Sequence, residues 1–207
     1  MYLPAAFQQT ESVKLWELIE QYSFGLLACA AGESLEASPL PFLLDRNAGP
    51  HGTLVSHMAQ ANPLWRYADG EPVLVVFSGP DAYISPAWYA AANVVPTWNY
   101  VAVHVRGIFE PIFDPDEILE IVDRTVQQHE AGREHPWTFD RDSEFAQRLA
   151  TAVVGFRIVI TRLEGKWKLS QNHAPERRQR VIAGLRDSSQ QEAHQLAHFM
   201  AQTLPQE

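Results

Sequence analysis

Trp98 to Phe113 reads WNYVAVHVRGIFEPIF, and the alternation within it decides the fold. Val101, Val103 and Val105 fall on one face while Ala102, His104 and Arg106 fall on the other. That is the period of a strand with one core face and one partly polar face. Directly after it, Asp114-Pro115-Asp116-Glu117 supplies an N-cap, a proline at the first helical position and an acid in the first turn. This predicts a helix to about Glu130 whose inward stripe is Ile118, Leu119, Val122 and Val126.

Working outward, Thr10 caps a predicted helix to about Tyr22, with Val13, Trp16, Leu18, Ile19 and Tyr22 as its apolar stripe. Phe24 to Ala30, Leu35 to Asp45, Gly52 to His57, Val73 to Ser78 and Ala82 to Tyr89 read as further strands between Gly, Pro and Asn turn signals. Gly79-Pro80 reads as a hairpin turn. A helix over Ser143 to Val153 leads into a strand over Phe156 to Leu163, and Glu164-Gly165 turns into a short strand over Lys166 to Ser170. From Pro175 the chain reads as helical, with Val181, Ile182 and Leu185 first and Leu196, Phe199 and Met200 later. Short connections favour antiparallel pairing. The expected class is therefore α+β, mainly antiparallel β: a small barrel with flanking helices. Residues 1–207 form one expected domain, with a helical C-terminal extension from about 175 to 207.

The composition bounds the function. With 207 residues, 46% hydrophobic and 20% charged, the chain has enough apolar material for a full core. A formal net charge of −9 repels phosphate backbones, so any DNA contact needs a local basic patch. Lys166, Lys168, Arg177, Arg178, Arg180 and Arg186 form such a run, which also reads as a solvated helix face. Cys29 lies in an apolar run, forms no internal disulfide and reads as a small buried hydrophobe. No leader pattern and no apolar run of membrane-spanning length is seen, so a cytoplasmic, non-membrane setting is expected.

Dinucleotide glycine fingerprints, phosphate loops and nucleophile elbows are absent from the sequence. His194 and His198 have helical metal-ligand spacing but lack the intervening glutamate, and no metal site is expected. Ser56-His57 begins SHMAQANP, at a strand-to-helix junction that reads either as an anion cradle or as an ordinary turn. In GPDAYISPAWY, Pro86 confines the run to an edge or bulge, so Trp88 and Tyr89 border a subunit boundary or a ligand, or else pack as a core hairpin. WKLSQN (Trp167 to Asn172) and VPTWNY (Val95 to Tyr100) share polar amides beside aromatic rings at strand ends. Together they point to a site for a flat, polar-edged molecule.

These runs are similar to those of the PaiB family of FMN-binding negative transcriptional regulators. The carrying residues are LPFLLD (Leu40 to Asp45), HMAQANPLW (His57 to Trp65), VVFSGPDAYISPAWY (Val75 to Tyr89), VPTWNYVAVH (Val95 to His104) and GKWKLSQN (Gly165 to Asn172). The resemblance implies an FMN-binding split barrel, a homodimer and FMN at the subunit interface. It further implies cofactor contacts from Ser56, His57, Met58 and Asn62 near the phosphate or ribityl chain, with Lys168 as the cation. Trp98 or Tyr100 would border the ring, and Asn99, Ser170, Gln171 and Asn172 would reach its polar edge. Gln60 stands where the family pattern has arginine, and Pro39 where it has histidine. Three functions follow as expectations: a flavin-binding regulator first, a flavin-dependent oxidoreductase of a small substrate second, and heme binding through His57 or His104 as a remote third.

Overall fold

The computed structural model describes residues 1–89 and 93–205, so the last two residues of the expected C-terminal extension lie outside the described part. Strands β1 (Gln8–Gln9), β2 (Phe24–Ala31), β3 (Ser34–Pro41), β4 (Leu43–Asp45), β5 (Thr53–Ala59), β6 (Pro72–Ile84), β7 (Thr97–Ile112) and β8 (Val153–Lys168) form one sheet in the order β3-β2-β6-β7-β8-β5-β4, with β1 added to β8. The helices are α1 (Ser12–Gln21), α2 (Leu64–Ala68), α3 (Pro115–Glu130), α4 (Glu144–Ala150), α5 (Pro175–Arg186) and α6 (Gln191–Gln202). The chain divides into two compact units. One contains Met1–Glu11, Ser78–Val103 and Glu164–Glu207; the other contains Ser12–Phe77 and His104–Leu163. No described helix is long and apolar enough to cross a membrane.

In the unit of Ser12–Phe77 and His104–Leu163, antiparallel pairing is explicit: β2 pairs β3 from Phe24↔Pro41 to Ala31↔Ser34, and β5 pairs β8 from Thr53↔Val159 to Ala59↔Val153. Four phenylalanines fill its centre. Phe42 meets Phe77 and Phe156 edge-on at 5.5 and 6.1 Å, and Phe109 stacks on Phe156 at 4.6 Å. Each buried ring contributes roughly 1.5–3 kcal/mol relative to exposure. Two glycines permit the close approaches behind them. A Cβ on Gly107 would stand 2.5 Å from the Val159 carbonyl oxygen, and one on Gly155 would press against Ile118 and Ile121 at 3.2 and 3.1 Å.

The helix after β7 starts as its sequence dictates, with the Asp114 carboxylate accepting from the Asp116 and Glu117 amides at 3.0 Å each. Its buried face is Ile118, Leu119 and Ile121, packed with Ile112, Ala146 and Ala150. Val122 and Val126 are only half-buried, because the bare Gly155 backbone draws Ile121 inward. Likewise α1 buries Leu15, Leu18 and Ile19 and leaves Val13 exposed, while half-buried Trp16 donates to the His51 carbonyl at 3.1 Å.

In the other unit, α5 and α6 pack on each other, and a 3-10 turn at Pro86–Tyr89 packs on α5. Val181, Ile182 and Leu185 on α5 and Leu196 and Met200 on α6 are buried, as their spacing predicts, while Phe199 of the expected stripe is only half-buried.

Four expected boundaries are corrected. Gly79-Pro80 makes no hairpin turn: β6 runs through it to Ile84, since a proline is tolerated where the ladder asks no donor of it. The strand expected to reach Tyr89 gives way at Pro86 to the 3-10 turn. Leu35 to Asp45 is two strands, split at Phe42, whose amide bonds the Ser23 carbonyl at 2.8 Å as its ring enters the core. Glu164-Gly165 does not turn either, because β8 continues unbroken to Lys168.

Candidate functional site

The sequence candidates fall into two groups, one in each unit. Ser56, His57, Met58 and Asn62 belong to the unit of β5, and Trp98, Asn99, Tyr100, Lys168, Ser170, Gln171 and Asn172 to the unit of α5.

On β5, strand alternation separates neighbours. Leu54, Ser56 and Met58 are buried while Val55 and His57 are half-buried. Ser56 Oγ donates to the Pro41 carbonyl at 2.5 Å, and Met58 is a core residue. His57 Nδ1 is fully covered and has no hydrogen-bond partner among the described residues, and burial pushes its pKa below the ordinary histidine value. Asn62 opens α2: its Oδ1 accepts from the Leu64 amide and its Nδ2 donates to Ser38 Oγ, both at 3.0 Å. Exposed Gln60 takes part through its backbone, bonding the Ala152 carbonyl at 2.9 Å and accepting from Trp65 Nε1 at 3.1 Å.

In the other unit, four candidates share one cavity of about 370 Å³: Asn99, Lys168, Ser170 and Asn172. Asn99 and Ser170 are buried, and Asn99 Nδ2 donates to Ser170 Oγ at 2.9 Å. Lys168 Nζ donates to Thr97 Oγ1 at 2.5 Å and to the Trp98 carbonyl. Desolvation, and then the charge of Lys166, pushes its pKa below the ordinary lysine value. Phe7, Val94 and Val95 supply apolar walls. Trp98 lines a different, open cavity of about 740 Å³ with Tyr83, Trp88 and the segment joining α5 to α6, and its ring meets Tyr83 at 6.2 Å. Tyr100 instead faces the ammonium of buried Lys166 at 5.3 Å, and the Gln171 amide closes its own turn through the Trp167 carbonyl (2.6 Å) and the Leu169 amide (2.8 Å).

Sequence reasoning weighed Tyr89 only as one side of a possible ligand wall and did not assign Thr97, His173 or Arg177 to a site, yet all four line the first cavity. The basic run also differs from a uniform solvated face. Lys166 donates to the Tyr2 carbonyl at 3.0 Å, and Arg178 is buried against Thr203, leaving Arg180 and Arg186 exposed. His194 and His198 are exposed on α6 and bonded locally to Ser188 and Gln202.

The donor set agrees with the chemistry of a flavin nucleotide. A ring with polar edges needs amides and hydroxyls beside apolar walls, and a phosphate needs cations. The cavity of Asn99, Lys168, Ser170 and Asn172 offers both, while in the other unit the covered His57 Nδ1 is left without a partner among the described residues.

Comparison with known proteins agrees with this chemistry. Residues 1–162 match the family described as "Putative FMN-binding domain". The chain is 33% identical over 206 residues to the protein "Protease synthase and sporulation protein PAI 2" of Bacillus subtilis, covering 99% of this chain and 98% of that one. The fold is similar to that of the flavocytochrome Anf3 of Azotobacter vinelandii (TM-score 0.60, 15% identity, 78% of this chain and 69% of that one). It is equally similar to an FAD and heme binding protein of Mycobacterium smegmatis (TM-score 0.60, 19% identity, 82% and 78%). The antiparallel sheet with its helices is thus a flavoprotein split barrel, and the chain belongs to the PaiB-type FMN-binding family, with FMN as its cofactor.

Proposed function

We propose that this FMN-binding protein is a negative transcriptional regulator, working as a cytoplasmic homodimer with FMN at the subunit interface. The observation that carries the proposal is the end-to-end similarity to the Bacillus subtilis protein named for protease synthesis and sporulation. Similarity confined to the flavin domain would support the cofactor alone; here it also takes in the C-terminal helices.

The residues divide the binding work. Asn99, Ser170 and Asn172 present amide and hydroxyl groups to a polar ring edge, and Lys168 presents charge to an anion. His57 offers a buried nitrogen free to accept or donate. Trp98, 54% exposed, offers an aromatic face. Bound FMN supplies a ring that accepts electrons and reports its redox state through its absorbance. The dimer is supported by an exposed apolar face: paired Phe24 and Pro41, Leu26 and Pro39, and Ala30 and Leu35 lie on one side of the β2–β3 ribbon, with Phe24 66% and Leu35 82% exposed.

The test is a flavin titration of purified protein followed by retention of DNA from its own promoter region, with and without FMN. Uptake of FMN with flavin-dependent retention is expected. FMN uptake without DNA retention under either condition sinks the regulatory part, and no FMN uptake sinks the whole.

A further inference from the structure

Beside Lys168, the cavity of the α5 unit holds two groups suited to an anion that the flavin candidates do not include, Tyr89 and Arg177. Tyr89 is 2% exposed and lines the cavity, and its hydroxyl has no hydrogen-bond partner among the described residues. Such a group costs about 1–3 kcal/mol when left unpaired. An acceptor inside the cavity would remove that cost.

Arg177 lines the same cavity and lies over the Tyr89 ring at 5.9 Å. No described carboxylate is within ion-pair distance of it, and its Nη1 stands 3.5 Å from His173 Nδ1, too far for a strong bond. Lys168 has three N–H donors, of which Thr97 and Trp98 take two. Helix α5 is 12 residues long and starts at the cavity with Ala174 as a cap that offers no side-chain oxygen. Its first turn adds little to the site, since Pro175 has no N–H, the Arg177 amide donates to the Ala174 carbonyl at 3.1 Å and Glu176 brings a carboxylate to the same turn. In a chain of net charge −9, no Asp or Glu is among the residues lining this cavity. The two non-glycine residues with positive φ among those described, Asn93 (59°) and Ser170 (62°), both line it.

We propose that Tyr89, Lys168 and Arg177 form a seat for a phosphomonoester group. Two cations match its dianionic charge, and a phosphate has more acceptor oxygens than a carboxylate for the guanidinium fork, ammonium and phenol hydroxyl to share. The group has two possible sources, the phosphate of FMN itself or that of a separate small effector. In the first case Arg177 adds a second cation to Lys168.

The test uses FMN, riboflavin, which differs only in lacking the phosphate, and phenyl phosphate, each titrated into wild type, Arg177→Gln, Arg177→Lys and Tyr89→Phe. Loss of one charged hydrogen-bonding partner is expected to weaken phosphate binding roughly ten- to hundredfold, with Arg177→Lys between wild type and Arg177→Gln. Tyr89→Phe keeps the ring and the fold while deleting the unpaired hydroxyl. It is expected to raise the Tm of the free protein and yet weaken the ligand, a pair of opposite signs that a purely structural role would not give. FMN affinity falling while riboflavin affinity holds assigns the seat to the flavin phosphate. Phenyl phosphate affinity falling while FMN affinity holds assigns it to a separate effector. Phosphate ligands that bind all variants like wild type, or that do not bind wild type at all, overturn the seat. Wild type that takes up neither flavin but binds phenyl phosphate through Arg177 overturns the FMN proposal and leaves the seat standing.

Discussion

Asn99 on β7 and Ser170 just beyond β8 are joined by a 2.9 Å hydrogen bond from Nδ2 to Oγ, with the two residues 1% and 3% exposed. Ser170 holds this position at φ 62°, a left-handed conformation that costs a non-glycine residue about 1–2 kcal/mol. Asn99→Ala strands the buried hydroxyl and is expected to cost about 1–3 kcal/mol. Ser170→Gly loses the same bond but relieves the backbone, so it should cost less. Urea denaturation of both variants checks the order, and a larger loss for Ser170→Gly would refute the account of strain.

Gly107 carries a second, purely steric prediction. The 2.5 Å approach of a Cβ to the Val159 carbonyl oxygen is to backbone, which cannot rotate away as a side chain can. Gly107→Ala is therefore expected to spread β7 from β8 and cost on the order of 3 kcal/mol. Thermal melting should show it, at about 2–4 °C per kcal/mol for a chain of this length. An unchanged Tm would mean the strands separate freely there.

The strands and the main helix were legible because their periods are local. Val101, Val103 and Val105 announce a core face within five residues, and Asp114-Pro115 announces a helix start within two. Gly79-Pro80 and Glu164-Gly165 were misread because turn residues also occur in long strands where neighbouring pairing holds them extended. The cavity was only partly legible. Lys168, Ser170 and Asn172 stood out as polar residues at a strand end, but Phe7, Tyr89 and Arg177 come from separate segments that only the chain's path brings together. Arg177 and Arg178 are adjacent in a basic run, yet helical geometry turns one toward the cavity and buries the other beside Thr203.

His57 makes stability depend on pH. Burial lowers its pKa in the folded state, so below about pH 6.5 the unfolded chain binds the proton more readily than the folded one. Stability contributed by neutral His57 is present above the unfolded pKa and is lost as pH falls through it toward the lower folded pKa. His57→Gln removes that titration. Denaturation midpoints measured across this window should slope less with pH in the variant, by up to about 1.4 kcal/mol per pH unit. Equal slopes in variant and wild type would show that His57 does not titrate on unfolding.

The apolar ribbon tests the proposed dimer. Among the described residues β3 pairs with β2 alone and so ends the sheet, and Pro39 and Pro41 blunt its unpaired edge against further strand addition. What remains to be covered is a face rather than an edge, formed by Phe24, Leu26, Leu35, Pro39 and Pro41. A charge placed within such a face would have to be buried unpaired if two copies met there, at a cost of several kcal/mol. Phe24→Glu and Leu26→Lys are each exposed in the monomer, so their folded stability should change by less than about 1 kcal/mol. Light scattering should therefore find folded monomers for the variants at concentrations where wild type is dimeric. If both variants keep the wild-type mass, the subunits meet elsewhere; if they unfold, the face packs against this chain itself.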